Sequence, residues 1–181
     1  MKKINKTNQT SMQKGFSLIE LMVVLVIIGV LTAIVISQFA KAAQKNRILE
    51  TTNLMGAVQS TIHDVTQMDL GRVIDDNLLI KSDRIAQKYI NTSGLGVKNI
   101  VTPFGGQLTV NGVANGTEYT IKFDSMSQQA CDSLSNSALM SDAKSIVIDA
   151  KTIAKMDPNT ISTSCEASAN KNYPVEFTFK R

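Results

Sequence analysis

Polar and apolar positions divide the chain into stretches of different character. Residues 1–15 (MKKINKTNQTSMQKG) are polar and carry Lys2, Lys3, Lys6 and Lys14 without a single acid. From Phe16 to Ile36 only Ser17, Glu20 and Thr32 have polar side chains. At about 1.5 Å rise per residue, that run makes a helix of roughly 31 Å, close to the hydrocarbon thickness of a bilayer. The lysines ahead of it predict an N-terminus held on the cytoplasmic side, with the remainder translocated. The run is too long for the core of a secretory signal, and no small-residue cleavage site follows it.

Beyond the run the period changes. Ile48, Thr51, Met55, Val58, Ile62 and Val65 recur at steps of three and four, while Lys45, Arg47, Glu50, Gln59 and Asp64 take other faces. This spacing predicts an amphipathic continuation of the same helix, ended by Gly71, about 50 residues in all. Leu78, Leu79, Ile85, Ala86, Tyr89 and Ile90 predict a second amphipathic helix within 75–92, capped by Gly94. Thr102-Pro103-Phe104-Gly105-Gly106 then forms a turn leading into Gln107–Val110. Asn111-Gly112 and Asn115-Gly116 read as turns. Thr117–Phe123 alternates, with Tyr119, Ile121 and Phe123 on one face, which predicts an antiparallel hairpin. Asp124 or Ser125 is placed to cap a short helix through Leu134, Ser125 and Gln128 having capping-box spacing. Ser145–Ile148 reads as a strand, and the alternating Val175–Phe179 as the strand that closes the sheet. Helix first and sheet afterwards give an α+β fold, with the long helix lying against an antiparallel sheet.

Glu20 is the exception in the apolar run. A central acid costs about 2.5–3.5 kcal/mol in a membrane helix, less here, about 6 Å from the start of the run. Lys14-Gly15 followed by Phe16-Ser17-Leu18-Ile19-Glu20-Leu21 resembles the class III signal of type IV pilins and related secretion pseudopilins. The resemblance implies cleavage by a prepilin peptidase after Gly15 and N-methylation of the new terminal Phe16. The apolar segment would stay in the mature protein, with Glu20 at the fifth mature position, where the family uses a glutamate during assembly. The chemistry is intelligible by itself. In a low-dielectric filament core, the amine of Phe16 and the Glu20 carboxylate of a neighbouring subunit are tolerable as a pair and costly alone. Such a pair sets the axial register. Gly29 weakens the helix by roughly 1 kcal/mol relative to Ala. It either admits close helix packing or marks the region that loses helical structure in pilin filaments. Ser37 stands where many pilins have a proline, so both readings remain open.

Cys131 and Cys165 follow the translocated segment and enclose 33 intervening residues. An even count in an exported chain points to a disulfide, stapling a Ser-rich stretch (residues 132–145) that has little means of packing itself. A C-x₂-C metal pair is absent, and a catalytic cysteine would have only His63 for a base. Pro103-Phe104-Gly105-Gly106, the hairpin and Gln129-Ala130-Cys131-Asp132-Ser133-Leu134 resemble type IVb pilins, the bundle-forming, toxin-coregulated and conjugative-plasmid group of Gram-negative bacteria. In that group the cysteines bracket a variable region exposed on the filament. Phe16 departs from the pattern, because type IVb pilins usually begin with another apolar residue. The resemblance implies the type IV pilin fold: a long N-terminal helix, its apolar half protruding, on a sheet head with a C-terminal disulfide. Three regions follow: leader 1–15, transmembrane or filament-core helix 16–40, and head 41–181.

Charge adds one point. The chain of 181 residues has 19 Lys plus Arg and 15 Asp plus Glu, net +4. Four of the 19 lie in residues 1–15, which leaves 15 basic residues against 15 acidic in residues 16–181. The basic excess therefore belongs to the leader. With no Trp and no clustered basic stripe in the head, nothing points to a dedicated nucleic-acid partner. Asp75-Asp76 reads as a helix start, Gly94-Leu95-Gly96 lacks the third glycine of a dinucleotide loop, and no acids have calcium-loop spacing. The sequence contains no enzyme site and no cofactor or metal site.

The reading is a structural subunit that polymerises through its N-terminal helix into a helical homo-oligomeric filament. Its partners would be the lipid bilayer, the prepilin peptidase and the inner-membrane pilus assembly machinery. It would sit in the Gram-negative inner membrane with its head in the periplasm before assembly, and in an extracellular pilus afterwards. A minor pilin or a type II secretion pseudopilin is the second reading, and a monomeric membrane-anchored adhesin the third.

Overall fold

The helical period is realised in α1, Leu18–Met68, an unbroken 51-residue helix. The computed structural model describes residues 17–68, 72–92, 96–113, 117–153, 157–167 and 172–181. Gly15, Phe16, Gly71, Gly94, Leu95, Asn115 and Gly116, all singled out above, lie outside them. The chain divides into two compact units, Met1–Ala43 and Gln44–Arg181.

In the second unit α1 buries Thr51, Leu54, Met55, Val58, Thr61, Ile62 and Thr66, with Ile48 half-buried. Leu54, Thr61 and Thr66 widen the expected stripe, and Val65 sits at its margin, half-buried. Three polar residues in this core are harmless because each threonine bonds its own helix. The Oγ1 atoms of Thr51, Thr61 and Thr66 donate to the carbonyls of Arg47, Ala57 and His63 at 2.7–2.9 Å. A hydroxyl buried in that way carries no unmet bond.

Seven strands follow: β1 (Ile90–Thr92), β2 (Lys98–Val101), β3 (Gln107–Gly112), β4 (Glu118–Ser127), β5 (Ala143–Ile148), β6 (Lys151–Ile153) and β7 (Asn172–Lys180). They form one antiparallel sheet in the order β1-β2-β3-β4-β7-β5-β6. A short helix, α2 (Asp76–Lys81), precedes the strands, and two more, α3 (Gln128–Ser135) and α4 (Pro158–Ala167), fall between them. The inward residues of β3, β4, β5 and β7 join Leu54, Met55, Val58 and Ile62 in one apolar cluster. Phe123, Phe177 and Phe179 stack and edge-pack within it.

Several expectations are corrected. The second helix ends at Lys81, because Asp83 takes a left-handed φ of 57° and the chain turns there. A single 3₁₀ turn, Gln87–Tyr89, and β1 occupy the rest of that stretch. Asn111-Gly112 is strand, not turn: Asn111 bridges Asp75, and the Gly112 N–H donates to the Ile74 carbonyl across 2.9 Å. Asp124 and Ser125 cap nothing, since β4 bulges there and continues to Ser127 against β7. The stretch 132–145 does pack, placing Leu134 and Met140 in the core. The C-terminal strand does not close the sheet; it fills the slot between β4 and β5.

The Pro103–Gly106 turn is as tight as its composition implies. Gly105 has a φ of 88°, and the Thr102 N–H donates to the Gly106 carbonyl across 2.8 Å. A Cβ on Gly106 would stand 2.9 Å from the Cβ of Ser125 and 3.0 Å from its backbone, so only glycine fits against the bulge.

Candidate assembly site

Residues 18–43 of α1 present an exposed apolar surface. Large apolar side chains from Leu18 to Phe39 are 44–75% exposed. This is the one helix among the described residues long and apolar enough to cross a membrane. Its polar groups are handled as hydrocarbon requires. The Thr32 hydroxyl donates to the Ile28 carbonyl (2.7 Å), and the Ser37 hydroxyl to that of Ile34 (2.8 Å). The helix runs through Gly29 and Ser37 without a break.

Glu20 lies in the first turn of α1, where a carboxylate suits the positive end of the helix dipole. It is exposed and makes no side-chain hydrogen bond or ion pair among the described residues. Gly15 and Phe16 lie outside those residues.

The head has a second centre at the disulfide. Cys131 on α3 and Cys165 on α4 are bonded, their Cα atoms 6.0 Å apart, and both are buried. The Tyr173 hydroxyl donates to the Cys165 carbonyl, and burial raises Tyr173 to about 12, with Asp132 and Asp149 adding to the shift. Tyr119, stacked on Phe179 at 5.3 Å, is raised to about 12 by burial and by Asp142. Tyr119 is on the inner face as its alternation predicts, and Tyr173 extends the alternation of Val175–Phe179 by one step.

Asp75 starts α2 as expected, its carboxylate accepting from the Leu78 N–H at 2.8 Å. Asp76 does something the sequence did not announce. Its carboxylate accepts the Val110 N–H across 2.6 Å, past the last β2–β3 pair at Leu108, and so covers the edge of β3 there. Burial raises its pKa, the Val110 N–H opposes that, and Asp75 and Asp124 add to the rise. His63 is exposed on α1, with Gln67 across 2.8 Å. Among the described residues no three His, Cys, Asp or Glu side chains converge as a metal site would require.

Comparison with known proteins covers both units. Residues 10–36 match the prokaryotic N-terminal methylation motif, and residues 49–179 match the family described as PilS N terminal. The major structural subunit of bundle-forming pilus from Escherichia coli O127:H6 is 28% identical over 147 residues, covering 78% of this chain and 73% of that protein. The corresponding subunit from E. coli O111:H- matches equally. The fimbrial protein EcpC of Eikenella corrodens is 31% identical over 110 residues, 59% of this chain and 69% of its own length.

Proposed function

We infer the role of this chain from its membership of the type IV pilins, to which it belongs as a type IVb-like member: it is a structural subunit of a pilus. The observation that carries the inference is the exposed apolar surface of residues 18–43, most of which falls within the methylation motif matched over residues 10–36. Such a surface is stable only under cover, first of lipid and then of neighbouring copies.

The finer steps are our proposal. A prepilin peptidase cuts after Gly15, and the terminal amine of Phe16 is methylated. The subunit waits in the inner membrane of a Gram-negative cell, residues 16–40 in the bilayer and the head, residues 41–181, in the periplasm. The assembly machinery then extracts it, and contacts with other α1 helices replace the lipid. In that setting Glu20 of one subunit accepts the Phe16 amine of the next. The Glu20 carboxylate in the first turn of α1, without a side-chain partner among the described residues, supports this reading. The subunit performs no catalysis; the cut at Gly15 is chemistry done to it.

N-terminal mass spectrometry of fibres sheared from the cell surface tests the scheme. A first residue of N-methylated phenylalanine at position 16 is expected. Fibres whose subunits begin at Met1 would overturn the cleavage, and fibres lacking this chain would overturn the subunit role.

A further inference from the structure

The solvent face of the sheet carries a charge pattern that filament assembly through α1 does not use. Tyr119, Ile121 and Phe123 of β4 and Phe177 and Phe179 of β7 point into the core. Alternation therefore places Glu118, Thr120 and Lys122 of β4, and Glu176, Thr178 and Lys180 of β7, on the outer face. The register sets them in three rows: Glu118 beside Lys180, Thr120 beside Thr178, and Lys122 beside Glu176. On β4 the charges are already occupied, Glu118 by Lys144 at 2.5 Å and Lys122 by Asp124 at 3.7 Å. Glu176 and Lys180 have no ion pair among the described residues.

These two lie four residues apart on one strand, about 13 Å, with Thr178 midway. A two-fold axis crossing the strands at Thr178 brings Lys180 over Glu176 of a second copy, and Glu176 over its Lys180. The same rotation sets Lys122 over Glu118 and each threonine over itself. Short threonines at the centre let two sheets approach to the usual spacing of about 10 Å, and the longer Lys and Glu chains span that gap at the ends.

We propose that this face of β4 and β7 binds the same face of a second copy, joining the heads of two different filaments side by side. The inference rests on the pilus-subunit reading. The contact is isologous, whereas subunits along one polar filament are related head to tail, so it falls between filaments. Two strands of short polar residues offer much less than the about 800 Å² per partner of a stable complex. A single pair of heads therefore associates weakly, and filaments displaying many heads associate strongly.

Electron microscopy of sheared filaments tests this with full-length chains. Wild-type filaments are expected in bundles that disperse at about 1 M salt, where screening reaches within about 3 Å. E176K filaments and K180E filaments are each expected to stay single, because like charges then face each other. A mixture of the two is expected to bundle, and so is the double swap E176K/K180E, which preserves the pattern about this axis. Thr178→Lys, which sets two ammonium groups on the axis, is an independent disruption that leaves both charges in place. Bundling by E176K or T178K filaments as in wild type, a double swap that stays single, or wild-type filaments that never bundle would each overturn the proposal. A wild-type chain that forms no filaments overturns the subunit reading instead.

Discussion

The phenolic hydroxyl of Tyr173 donates to the carbonyl oxygen of Cys165 across 2.8 Å, away from solvent. Cys165 lies in the last turn of α4, where helix carbonyls have no partner of their own. One hydrogen bond thus ties the disulfide-bearing helix to the start of β7. Tyr173→Phe leaves a buried acceptor unmet and should cost about 1–3 kcal/mol, read from urea unfolding of the detergent-solubilised chain. The pH dependence has a definite sign. A phenol raised from 10.0 to about 12 keeps its proton in the folded state while the unfolded chain loses it. Stability is accordingly full below pH 10 and falls as pH rises toward 12. The Phe variant should show a shallower alkaline loss, Tyr119 retaining its share.

The Cys131–Cys165 bond closes a loop with a sequence separation of 34. Replacing both cysteines by serine should lower stability by about 3–4 kcal/mol on the chain-entropy argument. Comparing urea midpoints with and without reductant checks it; identical midpoints would show the staple to be dispensable.

Asp76 combines a raised pKa with an accepted Val110 N–H, and the two pull apart under substitution. Asp76→Asn keeps the acceptor and removes the buried charge, so stability at neutral pH should hold or rise. Asp76→Ala leaves the Val110 N–H unmet and should cost about 1–3 kcal/mol. Because the folded pKa is raised above 3.8, wild-type stability falls as pH climbs from that value through the folded pKa, and the Asn variant should lack this slope.

Glu20→Val should leave the cut after Gly15 intact yet yield no filaments. Gly15→Ala should instead arrest maturation, with immunoblots showing the uncut chain. Normal pili from the Glu20 variant would remove the carboxylate from the assembly mechanism.

What was legible in the sequence was what neighbours along the chain decide. The 51-residue α1 follows from an uninterrupted apolar run and a three-four period, both local properties. The strands β4 and β7 follow from alternation in the same way. Asn111-Gly112 was misread because its partners, Asp75 and Ile74, come from a segment more than thirty residues away. Asp124 and Ser125 were misread because β7 pairs past a bulge and holds them extended. At the assembly site, apolar exposure and the odd carboxylate Glu20 were plain from composition. The Asp76–Val110 bond, the Tyr173–Cys165 bond and the charge rows of β4 and β7 were not, because each depends on sheet register.

The place of β7 has a consequence for the order of events in export. Every neighbour of β7 precedes it in the chain, yet it is the piece that joins β1–β4 to β5–β6. Without Asn172–Lys180, β4 and β5 would each keep a bare edge where β7 belongs. Joining the two parts of the sheet therefore depends on this one strand. A subunit shortened by its last ten residues would reach the far side of the membrane with α1 complete and no finished head. Assembly would in this way be reserved for chains that carry β7 and have seated it.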